Sequence, residues 1–477
     1  TWAVGGSRGP RDSCRNHGCP LRRNQVDPNL VGSTSALRNA TEETPVVAII
    51  GGAVAGSEAA LACAKHGALA VVFEQGVRPY GKIEDGLPRW HEKLRHKEYA
   101  RIDQNLDRDG ILFVPNTRVG EDLPWETVYE ELGFTAVVLA NGAWRDRPLP
   151  VEGIEAFEGR GLVYQNPFVY WFNHYEEPSY DGPSFEVVDD TIVVGGGLAS
   201  IDVVKIVNLE LYRRALRQRG IEVDLVEMEL KGIPRTLEAH GIEPDELGVR
   251  GCTLYYRRGK EDMPLASADR PTEKELEKLR SARTKIMDRV MRKYLVKFEP
   301  LCRPVAPIAE GSQLAGLRFQ RTEVVGGRVR DVEGSQFDVR GNMVISSIGS
   351  VPRPISGVPT EGELYAFSDW ETGELRELPG AFGLGNVLTG KGNIKDSRAN
   401  AIDVAEHSVC AYLGVGEEPT EVPGAAAIEA ERTAARAVQG SPMSVEQMHA
   451  LADRLDERHR AIGFTDYASW IAAHPPA

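Results

Sequence analysis

The sequence predicts an α/β fold with two parallel-sheet units and a helical C-terminal appendage, on three observations. Residues 46–56, VVAIIGGAVAG, run from an apolar, β-branched strand into a glycine turn, and a helical SEAALACAKHG follows. Residues 191–207, TIVVGGGLASIDVVKIV, repeat that order of strand, glycines and helix. Around both, short apolar strands alternate with helical stretches, the pattern of a parallel sheet covered by helices.

The elements follow in chain order. Residues 1–44 are rich in Gly, Arg, Asn and Ser without periodicity and predict an irregular arm. After Pro45 comes the first strand–turn–helix, then a second strand, ALAVVFE, ending at Glu74, and a third, TAVVLA, running into Asn141-Gly142. Beyond the second glycine turn the chain is helical and charged from 203 to 250, TLYYRR (253–258) is a strand, and 272–298 form a long helix with a basic second half. NMVISSIG (342–349) and AFGLGN (381–386) are late strands, and ANAIDVAEHSVCAYLG is a closing helix stopped by Gly414. In the tail from 424, Ser444 and Gln447 have capping-box spacing, Met448, Leu451 and Leu455 share a face, and Gly463 ends the helix, which predicts a small docking appendage.

A chain of 477 residues has room for two or three domains. It has no apolar run of about 18 residues or more and no apolar leader near its start, so the expectation is a cytoplasmic protein without a membrane span. A net charge of −14 argues against general nucleic-acid binding. Six cysteines are too few and too scattered for a disulfide framework. Cys14 and Cys19, with His17 between them, lack a second pair to complete a metal or cluster site and are expected to be free thiols. No C-x-x-C, Ser-His-Asp or His-Glu-x-x-His arrangement stands out, and His174 and His407 are expected to be structural.

The two glycine turns suit dinucleotides. A pyrophosphate site needs a tight turn, close approach of backbone N–H groups, and close helix–strand packing at a helix N-terminus. In the first turn Gly51 and Gly56 meet the first and last needs; Ala53, beside Gly52, adds a methyl where phosphate comes nearest and should displace it slightly. Glu74, 23 residues after Gly51 at the end of the next strand, is placed to accept from ribose hydroxyls and repels a 2′-phosphate, which favours FAD or NAD. The second turn, Gly195, Gly197, Ala199 and Ser200, keeps its middle glycine, and Arg257 and Arg258 close the following strand. Guanidiniums there suit a 2′-phosphate, so this site should take NADPH. FAD plus NADP(H) implies hydride transfer to flavin.

The order of motifs resembles the adrenodoxin reductase family of FAD-containing NADPH–ferredoxin oxidoreductases, kin of the glutamate synthase small subunit. The resemblance is carried by VVAIIGGAVAGSEAA, PYGKIEDGLPRWHEKL, FVPNTRVGEDLPWETVYEELGFTAVVLANGA, FVYWFNH, TIVVGGGLASIDVVKI, LYYRRGKEDMP, VISSIGSVPRPI and GAFGLGNVLTGKGNI, in family order over about residues 46–415. It implies two Rossmann-like dinucleotide-binding domains: an FAD domain of 45–155 and 335–415, interrupted by an NADP domain of 156–334, with a helical tail at 424–477. It also implies that Gly142 closes the FAD turn, that Gly385, Asn386, Lys391, Gly392, Asn393 and Ile394 lie beside the flavin, and that Asp202 sits near the nicotinamide. Leu198 departs from the usual Asn, Gly385-Asn386 from the usual Gly-Trp or Gly-Asp, and TGKGNI from RGPTGVI; Lys391 would put a cation near the flavin.

The function so implied is electron movement between NADPH and a small iron–sulfur protein such as ferredoxin. An acidic partner needs a local basic face, for which Arg213, Arg214, Arg217, Arg219 and the helix at 283–297 are candidates. Alternatives are a flavoprotein acting on a small organic substrate, an electron-entry subunit of a larger redox complex, and a non-catalytic nucleotide sensor.

Overall fold

The computed structural model describes residues 34–266, 268, 271–390, 392–415 and 442–476. Its first sheet has five parallel strands, in the spatial order Ala381–Gly383, Ala136–Leu139, Val46–Ile50, Leu69–Phe73 and Ile111–Val114. Every residue in these strands is buried, which is why they read as unbroken apolar runs rather than alternating ones. Helix Val54–Lys65 packs against Glu92–Leu106 and Ile394–Val404. From Val46–Ile50 the chain builds outward through Leu69–Phe73 and Ile111–Val114, then returns to the other side at Ala136–Leu139. That reversal opens a crevice at the carboxyl ends of the two inner strands, where open α/β sheets bind ligands.

A second parallel sheet repeats the plan, in the order Leu162–Tyr164, Val344–Ser347, Thr191–Gly195, Cys252–Tyr255 and Lys297–Glu299. Its reversal lies between Thr191–Gly195 and Val344–Ser347. Beside it stands a three-stranded antiparallel sheet, Cys302–Glu310, Gln313–Val325 and Arg328–Arg340. The chain crosses between the two parallel units twice, side by side: Arg145–Asp146 pairs antiparallel with Ser350–Val351.

This topology moves the expected domain boundaries. Val344–Ser347, assigned to the first unit by the 335–415 boundary, is an inner strand of the second sheet. Leu149, Val151 and Ile154, expected before the 155/156 boundary, pack in one core with Leu162, Tyr164, Ile192 and Val194. Both crossings therefore fall near 145–150 and 348–351.

The tail is also more than an appendage. Helix Val445–Ile462 starts with the expected Ser444–Gln447 capping box and ends at a left-handed Gly463. Its Met448, Leu451 and Leu455 are buried in the first core. Trp470 Nε1 donates to the Val77 carbonyl at 2.6 Å, and Tyr467 donates to Asp103 at 2.7 Å. Part of the arm expected to be irregular is ordered on this tail: Ser35–Arg38 form a helical turn, and Arg38 bridges Asp453 and Asp456 at 2.7 Å. Residues 1–33, with Cys14 and Cys19, lie outside the described residues, as do 416–441. Among the described residues no helix is long and apolar enough to cross a membrane.

Candidate functional site: a cleft joining two glycine turns

At the first reversal, Gly51 has φ +100°, and a Cβ there would stand 2.7 Å from the Ala140 carbonyl oxygen on the neighbouring strand. A Cβ on Gly56 would lie 1.8 Å from the Gly51 carbonyl oxygen, so the helix start and the turn touch backbone to backbone. Gly52 and Gly56 are closely flanked, and Ala53 is the N-cap of helix Val54–Lys65. The Ala53 methyl lies against the turn at Gly81, whose own Cβ would come within 3.1 Å of it. Both Ala53 and Gly81 border the cleft.

Glu74 is buried at the end of Leu69–Phe73 and accepts from the backbone N–H groups of Gly52 (2.8 Å) and Gly76 (2.9 Å). Burial outweighs those two donors and pushes its carboxyl up to about 7. The expected flavin-side residues gather at the same end. Gly142 has φ +66°. Gly385 caps Asn386–Thr389, and a Cβ on it would meet Ala55 Cβ at 2.5 Å. Asn393 caps Ile394–Val404, accepting from the Asp396 N–H at 2.8 Å, so a second helix N-terminus faces the cleft beside that of Val54–Lys65. Gly392 and Ile394 border it too, while Lys391 lies outside the described residues. Two buried amide oxygens in this wall, Asn141 Oδ1 and Asn386 Oδ1, have no hydrogen-bond partner among the described residues. Buried polar atoms are normally paired, so these acceptors fit a ligand that donates to them.

The second turn reproduces the first. A Cβ on Gly195 would lie 2.4 Å from the Ser347 carbonyl oxygen, again across the reversal, and one on Gly196 would strike the Tyr256 ring. Gly197, by contrast, has nothing within 4 Å of its would-be Cβ and opens on the cleft. Helix Leu198–Gln218 begins there; Leu198 is exposed in the cleft wall beside Ala199, and Ser200 Oγ donates to the Gly197 carbonyl at 2.6 Å. The arginine pair splits. Arg257 is exposed and borders the cleft, whereas Arg258 turns to the antiparallel sheet and donates to the Gly327 carbonyl at 3.0 Å. The expectation that both guanidiniums face the second site is thus corrected for Arg258, whose place is set by that backbone acceptor.

Between the turns the cleft is one space of about 2270 Å³. A single small-molecule pocket runs to roughly 300–1,000 Å³, so there is room for two ligands meeting end to end. Asp202 sits at the junction, its Oδ1 3.5 Å from His91 Nε2 and 3.7 Å from Lys205 Nζ. Lys205 is buried, bonded to Glu229 at 2.7 Å and set over the rings of Trp90 and Tyr294. Burial opposes charge on Glu229, but Lys205 and Tyr294 together hold its carboxyl below the usual range. Nearby, Lys82 Nζ donates to Asn166 Oδ1 at 2.8 Å and Ser350 Oγ at 3.2 Å. Burial lowers the Lys82 ammonium and raises the neighbouring Asp146 carboxyl, while each holds the other partly charged.

Sequence reasoning missed Lys82, His91, Asp146 and Lys205. Lys82 and His91 lie within the quoted PYGKIEDGLPRWHEKL, yet their partners are 64 and 111 positions away, and nothing local signals the pairing. His174, expected to be structural, is clamped between Asp85 (3.1 Å) and Glu177 (2.6 Å). His407 is exposed beside Asp403. The arginines expected to form a docking face are locally committed: Arg213 to Glu176 and Glu210, Arg214 to the Val187 carbonyl, Arg217 to Glu222, and Arg219 to Glu246.

Comparison with known proteins agrees with this architecture. Residues 45–240 match the family described as pyridine nucleotide-disulphide oxidoreductase. The glutamate synthase [NADPH] small chain of Mycobacterium tuberculosis is 25% identical over 398 residues, 79% of this chain and 70% of that protein. The mitochondrial NADPH:adrenodoxin oxidoreductase of Arabidopsis thaliana is 24% identical over 328 residues, 62% and 65% of the two chains. The structure of FprA, a Mycobacterium tuberculosis oxidoreductase, superposes with a TM-score of 0.61 at 19% identity, over 87% of this chain and 91% of that one, which establishes the shared fold. Residues 45–240 thus match the pyridine nucleotide-disulphide oxidoreductase family, and the chain is similar to the glutamate synthase small chain and adrenodoxin reductase over most of its length.

Proposed function

We propose that this chain binds FAD at the first glycine turn and NADPH at the second, and moves electrons from NADPH to a small iron–sulfur carrier. The observation that carries the reading is the single cleft whose two ends differ in chemistry: a buried carboxyl group, Glu74, at one turn and an exposed guanidinium, Arg257, at the other. A carboxylate rejects a 2′-phosphate and accepts from ribose hydroxyls; a guanidinium does the opposite.

Gly51, Gly52, Ala53 and Gly56 would hold the FAD pyrophosphate at the N-terminus of Val54–Lys65, with Glu74 on the ribose. Gly142, Gly385, Asn386, Gly392, Asn393 and Ile394 would line the flavin end, where Asn141 and Asn386 offer acceptors. Gly195, Gly197, Leu198 and Ala199 would cradle the second pyrophosphate, and Arg257 would take the 2′-phosphate. Bound together, the two cofactors supply hydride transfer and the return of electrons to one-electron acceptors. At the junction Asp202, held by Lys205 and His91, would orient the nicotinamide end, and Lys82 would place a partly charged ammonium in the flavin-side wall. No C-x-x-C occurs in the sequence, so this reading assigns no role to a C-x-x-C disulphide.

The acceptor reading draws on relatives whose names specify NADPH and adrenodoxin. The face for an acidic partner is better supplied by Lys285, Arg289 and Arg292, exposed on helix Glu273–Tyr294, than by the four arginines paired above. Replacing these three by Glu is expected to slow reduction of an acidic ferredoxin at least tenfold at low salt and to flatten its salt dependence, with reduction of ferricyanide unchanged. Equal rates with ferredoxin for the wild-type and triple variant, flat in salt, would remove this docking face; turnover with small acceptors alone would remove the carrier.

A further inference from the structure

A cluster of metal-ligating side chains lies away from the cleft, on the far end of the helix that begins at the first glycine turn. Cys63 and His66 are three residues apart, at the end of helix Val54–Lys65 and its C-cap. Glu406 and Cys410 are four residues apart, across the π turn Ala405–Val409 and the start of helix Cys410–Leu413. Spacings of three and four put each pair on one helix face, and the helix and the π turn pack together. π turns within helices frequently mark functional sites. His66 Nε2 lies 2.6 Å from Glu406 Oε2, and the buried Cys63 thiol neighbours the Cys410 thiol. Ligand atoms of His66, Glu406 and Cys410 all lie within 4.8 Å of one another. Both thiols are buried, while the imidazole and carboxylate are partly exposed, giving the group an entrance.

We propose that His66, Glu406 and Cys410 form a site for a zinc-type divalent ion, with the fourth position taken by water. The donor set is one sulfur, one imidazole nitrogen and one carboxylate oxygen, which suits zinc and excludes the all-oxygen ions calcium and magnesium. Tetrahedral ligands at zinc bond lengths stand about 3.3–3.8 Å apart, so the observed spread closes with side-chain movements of about an ångström. Binding exchanges the His66–Glu406 contact for three metal–protein bonds and expels the Cys410 thiol proton to solvent, without any redox change. At 1.5 Å per residue, the helix sets the site about 18 Å from the glycine turn, too far for direct contact with a cofactor there. The ion would instead tie the helix of the first glycine turn to the closing helical segment.

The test uses the full chain, purified with reductant, stripped by chelator, and titrated with Zn²⁺ in competition with a chromogenic chelator. One tightly bound Zn²⁺ per chain is expected, with about one proton released, and Co²⁺ in its place is expected to show thiolate-to-metal charge transfer. His66→Gln and Cys410→Ser should each weaken Zn²⁺ binding by more than about tenfold while flavin content is unchanged. Because Cys410 is buried and its variant can misfold, Glu406→Gln, at a partly exposed position, is expected to give the same loss. Substoichiometric Zn²⁺, binding undiminished in His66→Gln and Glu406→Gln, or a Cys63–Cys410 disulfide forming in the presence of Zn²⁺ would overturn the site.

Discussion

On the proposed reading, Glu74 and Arg257 set what each end of the cleft accepts. With its carboxyl raised to about 7, Glu74 carries a proton in the ligand-free fold over a range where the unfolded chain, with an ordinary carboxyl near 4.5, has lost it. Its contribution to stability is therefore fully present below about pH 4.5 and is lost as pH rises to 7. A shift of that size corresponds to about 3 kcal/mol. Ribose hydroxyls donating to the carboxylate favour the charged form, so flavin binding expels the proton. Flavin affinity of the stripped protein should then rise about tenfold per pH unit below 7 and level off above it; a Glu74→Gln variant should bind weakly with no such slope. Isothermal titration across pH 5.5–8.5 checks both. At the second turn, Arg257→Ala is expected to raise the KM for NADPH by about 10–100-fold, the worth of a charge-assisted hydrogen bond, with little change for NADH. Arg258→Ala should leave both within about threefold, because its guanidinium holds the Gly327 carbonyl instead. Steady-state kinetics with the two coenzymes separates them. Glu74 was legible in the sequence because a strand end is a local feature, fixed by counting from Gly51. The divergence of Arg257 and Arg258 was not, because it depends on a carbonyl 69 positions away.

At the scale of elements, the two strand–turn–helix units obey one packing rule. The first glycine of each turn faces the carbonyl of the strand across the reversal, Ala140 in one sheet and Ser347 in the other. Gly56 and Gly197 then make contrasting tests. Gly56→Ala forces a methyl to 1.8 Å from the Gly51 carbonyl and is expected to destabilise the first unit by about 3 kcal/mol or more. Gly197→Ala meets nothing within 4 Å and sits at φ −89°, so thermal stability should hold while NADPH binding weakens. Thermal melts beside coenzyme titrations distinguish the two effects. The strands themselves were legible as apolar runs, but a run does not say which sheet it joins. NMVISSIG reads equally well in either unit, and only its pairing with Thr191–Gly195 and Leu162–Tyr164 places it. The antiparallel sheet at 302–340 went unread because its exposed outer strand, Arg328–Arg340, is largely polar.

Across the whole molecule, the two units meet at a paired crossing, and the C-terminal helices complete the first core. Met448, Leu451, Leu455, Phe464 and Trp470 are all buried there, each contributing on the order of 1.5–3 kcal/mol. Removing residues 442–477 should therefore lower the melting temperature sharply and release flavin, whereas a dispensable appendage would leave both unchanged; differential scanning fluorimetry on the truncated chain decides. The tail's helix was visible in its capping box and apolar face, but its destination, the Ile111–Val114 edge of the first sheet, lies more than 300 positions away. The order of glycine turns along the chain anticipated two strand–turn–helix units; that they open into one cleft follows only from the double crossing. The most direct test is the visible absorption spectrum of the purified protein before and after anaerobic addition of NADPH. The account predicts one flavin per chain, bleached by stoichiometric NADPH and far more slowly by NADH; a colourless protein that takes up no FAD, or bound flavin that NADPH leaves oxidised, would contradict it.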